Sequence, residues 1–74
     1  MKGVIKMTDT LELKTILFRK QITLEKLSDL IGLSTTTLSY KINNKIEFKS
    51  SEIKAMQEIL GLTNDERDKI FFAN

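Results

Sequence analysis

Apolar residues recur along this chain at spacings of three and four, the period of helices with one buried face, and no alternating apolar stretch is long enough for a useful strand. Leu13, Ile16 and Leu17 predict a first helix running to about Lys20, opened by Thr8 or Asp9 as its cap, with Leu11 and Phe18 on a neighbouring stripe. Leu27 with Ile31, and Leu38 with Ile42, are each four apart and predict two short helices, with Leu33 between them. Lys45 to Lys49 read as a loop in which Ile46 and Phe48 alternate inward. Ser50 or Ser51 caps a fourth helix carrying Ile53, Met56, Ile59 and Leu60, closed by Gly61. Thr63 with Glu66 forms a capping box that opens a fifth helix through Phe72.

The second and third helices are the informative pair. Thr23 caps the second, and Glu25 in its first turn suits the helix dipole. Gly32 takes a left-handed conformation at little cost, so the chain reverses there within a few residues. Ser34 then offers its hydroxyl to the free N–H groups of the third helix, which Asn43 and Asn44 end. Ser28 is small where a partner helix comes close. This is the layout of a helix-turn-helix, in which the first helix packs inside and the second turns its outer face to a groove.

With 74 residues the chain is one domain, able to bury only about 60% of the surface its unfolded form exposes. We divide it into an N-terminal arm, residues 1–9, containing Val4, Ile5 and Met7, and a helical domain, residues 10–74; Met7 is also an alternative start. The absence of cysteine and histidine excludes disulfides and Cys or His metal sites and fits a reducing compartment. No apolar run approaches the roughly 20 residues that cross a bilayer, so a cytosolic protein with no membrane partner is expected. Nor is there a Gly-rich phosphate loop, and no enzyme activity or cofactor is implied.

The net charge of +2 is unevenly spread. Residues 1–49 carry nine Lys/Arg and five Asp/Glu, a balance of +4, whereas residues 50–74 carry three and five, a balance of −2. The two-helix motif lies in the basic part, which permits nucleic-acid binding, although most of these charges serve equally to solvate helix faces.

Residues 10–72 resemble the repressor/Cro type of helix-turn-helix domain of temperate-phage regulators, on the spacing of Leu27, Ile31, Gly32, Leu33 and Leu38 and the helix-capping Gly61. The last third, SEIKAMQEILGLTNDERDKIFF, resembles small Cro-like proteins of phages from low-GC Gram-positive hosts. The resemblance implies an all-α, five-helix lambda-repressor-like fold in a bacterial cytoplasm. It also implies that Thr35, Thr36 and Tyr40 point at base edges with Ser34 and Ser39 beside them. Lys41, Asn43, Lys45 and Lys49 then meet phosphates, joined by Lys20 and Lys26 if the first two helices flank the backbone.

Three departures from that family stand out. Its members commonly start the second helix with a glutamine that contacts phosphate and braces a base-reading side chain; here Leu24 stands there. The third helix also has no Arg, Gln or Asn before Asn43, so the strong bidentate base contacts, worth about 1–3 kcal/mol each, are missing. In addition, many relatives pair an arginine of the first helix with a glutamate near the end of the third, where this chain has Leu17 and Ile42, an exchange of ions for core contacts.

Two functions follow as expectations. One is a sequence-specific, Cro-like transcriptional regulator of a phage lysis/lysogeny switch, bound to operator DNA as a homodimer on half-sites about 34 Å apart. The other is a modulator that holds a partner phage repressor through Leu24, Thr35, Thr36 and Tyr40 and blocks its DNA contacts, since tyrosine is enriched and lysine depleted at protein interfaces. Tyr40 has a plainer reading, a ring that covers the bundle. Phe71 and Phe72 lie about 100° apart on a helix: one forms a dimer contact, or both lean on Leu11, Phe18 or the arm.

Overall fold

The computed structural model describes residues 7–73, and among these the chain is all-helical. The elements are α1 (Thr10–Arg19), α2 (Leu24–Ile31), α3 (Thr35–Ile42), α4 (Ser50–Leu60) and α5 (Asn64–Phe71). Val4 and Ile5 of the expected arm lie outside the described residues. No helix among the described residues is long and apolar enough to cross a membrane.

Four of the five described helix starts have a free N–H capped by a side chain. Asp9, Thr23, Ser34 and Thr63 accept from the N–H three residues on, in Glu12, Lys26, Thr37 and Glu66 respectively, so the first helix is capped by Asp9. Glu66 completes the box by accepting from the Thr63 N–H at 2.8 Å, and that bond holds its carboxyl below the ordinary range. At α4 the cap is Lys49, with Ser50 and Ser51 already helical: the Glu52 carboxylate, not a serine hydroxyl, accepts the Lys49 N–H at 2.8 Å.

Helix ends are equally well defined. Gly32 (φ 80°) and Gly61 (φ 65°) cap α2 and α4 in the left-handed conformation. A side chain at Gly32 would meet nothing within 4 Å, so its requirement for glycine is a matter of backbone conformation alone. α1 ends by the same device without glycine: Gln21 is left-handed (φ 58°), and the N–H groups of Gln21 and Ile22 donate to Phe18 and Leu17.

α2 packs on α3 and α4, α4 on α5, and α5 on α1. Leu13, Leu27, Leu38, Met56 and Ile70 are the centre of the core, which also buries Leu17 and Ile42. Phe48 comes inward from the loop as expected and meets Phe71 edge-on, centroids 5.3 Å apart. Ile46 does not; it is 45% exposed. Inward alternation presumes an extended strand, whereas the N–H groups of Lys45 and Ile46 both turn back onto the Tyr40 carbonyl. Phe71 is buried against Phe48 and Phe72 packs on the core edge, while Leu11 and Phe18 are exposed on α1.

Residues 7–9, the described part of the arm, are hydrogen-bonded into the fold. Ala73 N–H donates to the Met7 carbonyl, and Asp9 N–H to that of Ile70. On the other side, Asn44 grips the Thr8 backbone at both ends, its Oδ1 accepting the N–H at 2.8 Å and its Nδ2 donating to the carbonyl at 2.9 Å. The start of the fold thus ties the end of α3 to the end of α5.

A hydroxyl-rich face on α3 and its surroundings

The turn between α2 and α3 sets how α3 is presented. Left-handed Gly32 reverses the chain, and Leu33 packs against the core beneath it. Ser34 Oγ accepts the Thr37 N–H at 3.1 Å and donates to Thr37 Oγ1 at 2.9 Å, so Ser34 is occupied as a cap. The helix then buries Leu38, Lys41 and Ile42. Thr36 and Tyr40 are exposed on the opposite side, with Ser39 half-buried beside them, and Thr35 is exposed at the helix start.

Tyr40 is 46% exposed and does not serve as core. Its ring carries the Lys45 ammonium at 6.0 Å from the centroid, a cation–π contact on the outer surface. Asn43 turns its Nδ2 back to the Ser39 carbonyl at 2.9 Å, and Lys45 and Lys49 stay exposed along the loop that follows. Lys20, Leu24 and Lys26 are also exposed. Thr36, Tyr40 and Asn43 therefore share the outer side of α3, with Lys45 over the Tyr40 ring at its exit and Thr35 exposed at its start.

Lys41 leaves that group. Its side chain is only 4% exposed, its Nζ lies 2.6 Å from Glu52 Oε1 at the start of α4, and the Phe48 ring is 6.0 Å away. A buried ammonium that already holds a carboxylate is not available to a phosphate. The signal was in the spacing, because position 41 is three beyond Leu38 and next to Ile42, on the inner face of α3. Burial acting alone would raise the Glu52 carboxyl; the Lys41 hydrogen bond, the Lys49 N–H and both ammonium charges outweigh it and leave the group below its ordinary value of 4.5. Glu52 itself escaped notice in the sequence, where it is one acid among several on an exposed-looking helix start. Through a single oxygen it joins the last turn of α3 to the first of α4, and so fixes the loop bearing Lys45 and Lys49.

Beside the turn lies a shallow hollow of about 520 Å³ bounded by Glu25, Ser28, Asp29, Leu33, Ser34 and Thr35. Its two carboxylates give the turn end of the α3 face a negative border, while Lys45 and Lys49 give the exit end a positive one.

Residues 7–74 match the family described as "Protein of unknown function (DUF739)". The chain belongs to that family. The match begins at Met7, the first described residue, and spans every helix among the described residues. No curated protein matches the chain. Membership in DUF739 covers the whole helix-turn-helix region and assigns it no activity.

Proposed function

We propose that this protein is a DNA-binding transcriptional regulator of the repressor/Cro kind, acting in a temperate-phage lysis/lysogeny switch. The observation that carries the reading is the outward projection of Thr35, Thr36 and Tyr40 from a Gly32-reversed, Ser34-capped helix pair. In a major groove, threonine methyls touch thymine methyls and the hydroxyls bond to base edges, while Lys45 and Lys49 meet phosphates. With Lys41 taken by Glu52, fewer cations serve DNA than the sequence suggests. Sequence-specific grip is accordingly modest for one copy, and two copies on adjacent half-sites supply the rest.

A second reading has its own support. Leu24, Tyr40 and Ile46 are exposed apolar side chains around this face, and Glu25 and Asp29 border it with negative charge that repels phosphate. Such a surface suits a partner repressor, which the protein would hold to block that partner's DNA contacts.

Gel retardation of the duplexes flanking the protein's own reading frame separates the two. DNA binding predicts retardation at micromolar protein, weakening as salt rises with a log–log slope of roughly 0.9 per phosphate contacted. No retardation, with co-purification of a repressor encoded alongside, supports the second reading and overturns the first.

A further inference from the structure

The most exposed large apolar side chains among the described residues are on α1, away from the face already discussed: Phe18 is 84% exposed and Leu11 77%. They are seven positions apart, with Thr15 between them at four and three, so the three fall on one stripe of the helix. Lys14 flanks that stripe on one side and Arg19 on the other, with Glu12 on the Arg19 side. Arg19 and Glu12 also line a hollow that Glu66 and Lys69 share, where the Arg19 charge helps to hold the Glu66 carboxyl below its ordinary value without a direct ion pair.

We propose that this stripe pairs with the same stripe of a second copy, α1 antiparallel to α1 across a two-fold axis beside Thr15. The stripe is self-complementary in shape. Running one helix against the other about its midpoint sets Leu11 of each copy on Phe18 of the other, with the small Thr15 at the centre where the helices come closest. It is also complementary in charge on one flank, where Arg19 of each copy lies within a turn of Glu12 of the other. On the opposite flank the two Lys14 side chains approach, and their stems let the ammonium groups turn to water.

A leucine and a phenylalanine bring on the order of 300 Å² per copy, against the roughly 800 Å² per partner of a standard stable interface. The pairing is therefore a concentration-dependent equilibrium and not a permanent dimer. It rests on α1 alone and not on DNA binding.

The chain contains no cysteine, so Thr15→Cys introduces its only thiol at the proposed axis. Under mild oxidation without DNA, this variant should form disulfide-linked dimers at least about tenfold faster than Ser51→Cys, an exposed control on α4. Adding Phe18→Ser should bring the rate down to that of the control. Sedimentation of the unmodified protein should give a mass that rises between about 10 and about 500 µM. Equal crosslinking of the two single-cysteine variants, or crosslinking at Thr15→Cys that Phe18→Ser leaves unchanged, would overturn the proposal. The DNA reading survives either result, because no DNA enters the experiment.

Discussion

Lys41 and Lys45 are four positions apart, one inside α3 and one beyond its end, and have opposite fates. Lys41 is buried on the inner side of α3 and bonded to Glu52, whereas Lys45 lies outside over the Tyr40 ring. The two sides of α3 differ accordingly: the inner one is built into the bundle through Leu38, Lys41 and Ile42, and the outer one presents small hydroxyls and a tyrosine that the bundle does not need. The difference teaches that a cation of α3 or its exit stays exposed only on the outer side. On the inner side it is part of what holds α3 in place.

The largest test of that contrast is Glu52→Gln, which leaves the Lys41 ammonium buried without a counter-charge. It should cost about 3 kcal/mol by urea denaturation, while the paired exchange Lys41→Met with Glu52→Leu should return to within about 1 kcal/mol of the natural protein. A cost for Glu52→Gln below about 0.5 kcal/mol would mean the inner side is not tied through this pair.

Acid should reveal the same bond. A carboxyl whose folded value is below its unfolded value stabilises above the unfolded value, and that contribution is lost as pH falls through the folded one. For Glu52 the stabilisation is complete above about 4.5 and disappears below it. The melting temperature should therefore fall more steeply on acidification in the natural protein than in Glu52→Gln. Parallel curves would contradict the assignment.

Gly32→Ala comes next, at about 1–2 kcal/mol, because alanine must adopt the left-handed backbone although its methyl has free space. Smallest of all, Lys45→Ala should change stability by less than about 0.5 kcal/mol, as expected of an outer cation. A larger loss would erase the distinction between the two lysines.

Much of this fold is legible in the chain because its signals are local. The Ser34 and Thr63 caps, the Gly32 and Gly61 ends and the three-and-four spacing of Leu13, Ile16 and Leu17 each involve neighbours within one turn. What was misread depends on residues far apart. The Asn44 grip on Thr8 joins positions 36 apart, and Lys41 meets Glu52 across a loop. Spacing placed Leu11 and Phe18 on a stripe beside the core stripe of α1, but not that no other element covers them. Ile46 failed for a different reason, since alternation was applied to a segment that turns back onto the Tyr40 carbonyl.

At the candidate site, Thr35, Thr36 and Tyr40 come from the family pattern; the register of Leu38 and Ile42 agrees for Thr36 and Tyr40, whereas Thr35, three before Leu38 and seven before Ile42, is exposed because it starts the helix. Lys41 was carried over from the family pattern, against that same register.

The most direct measurement of the central claim is retardation of the duplexes flanking the reading frame, at about 50 and about 150 mM salt, by the natural protein and by Tyr40→Ala. The account predicts retardation at micromolar natural protein that weakens at the higher salt, and a large loss of it in Tyr40→Ala with the melting temperature nearly unchanged. A folded natural protein that retards neither duplex at either salt, or a Tyr40→Ala variant that binds as well as the natural protein, would contradict it.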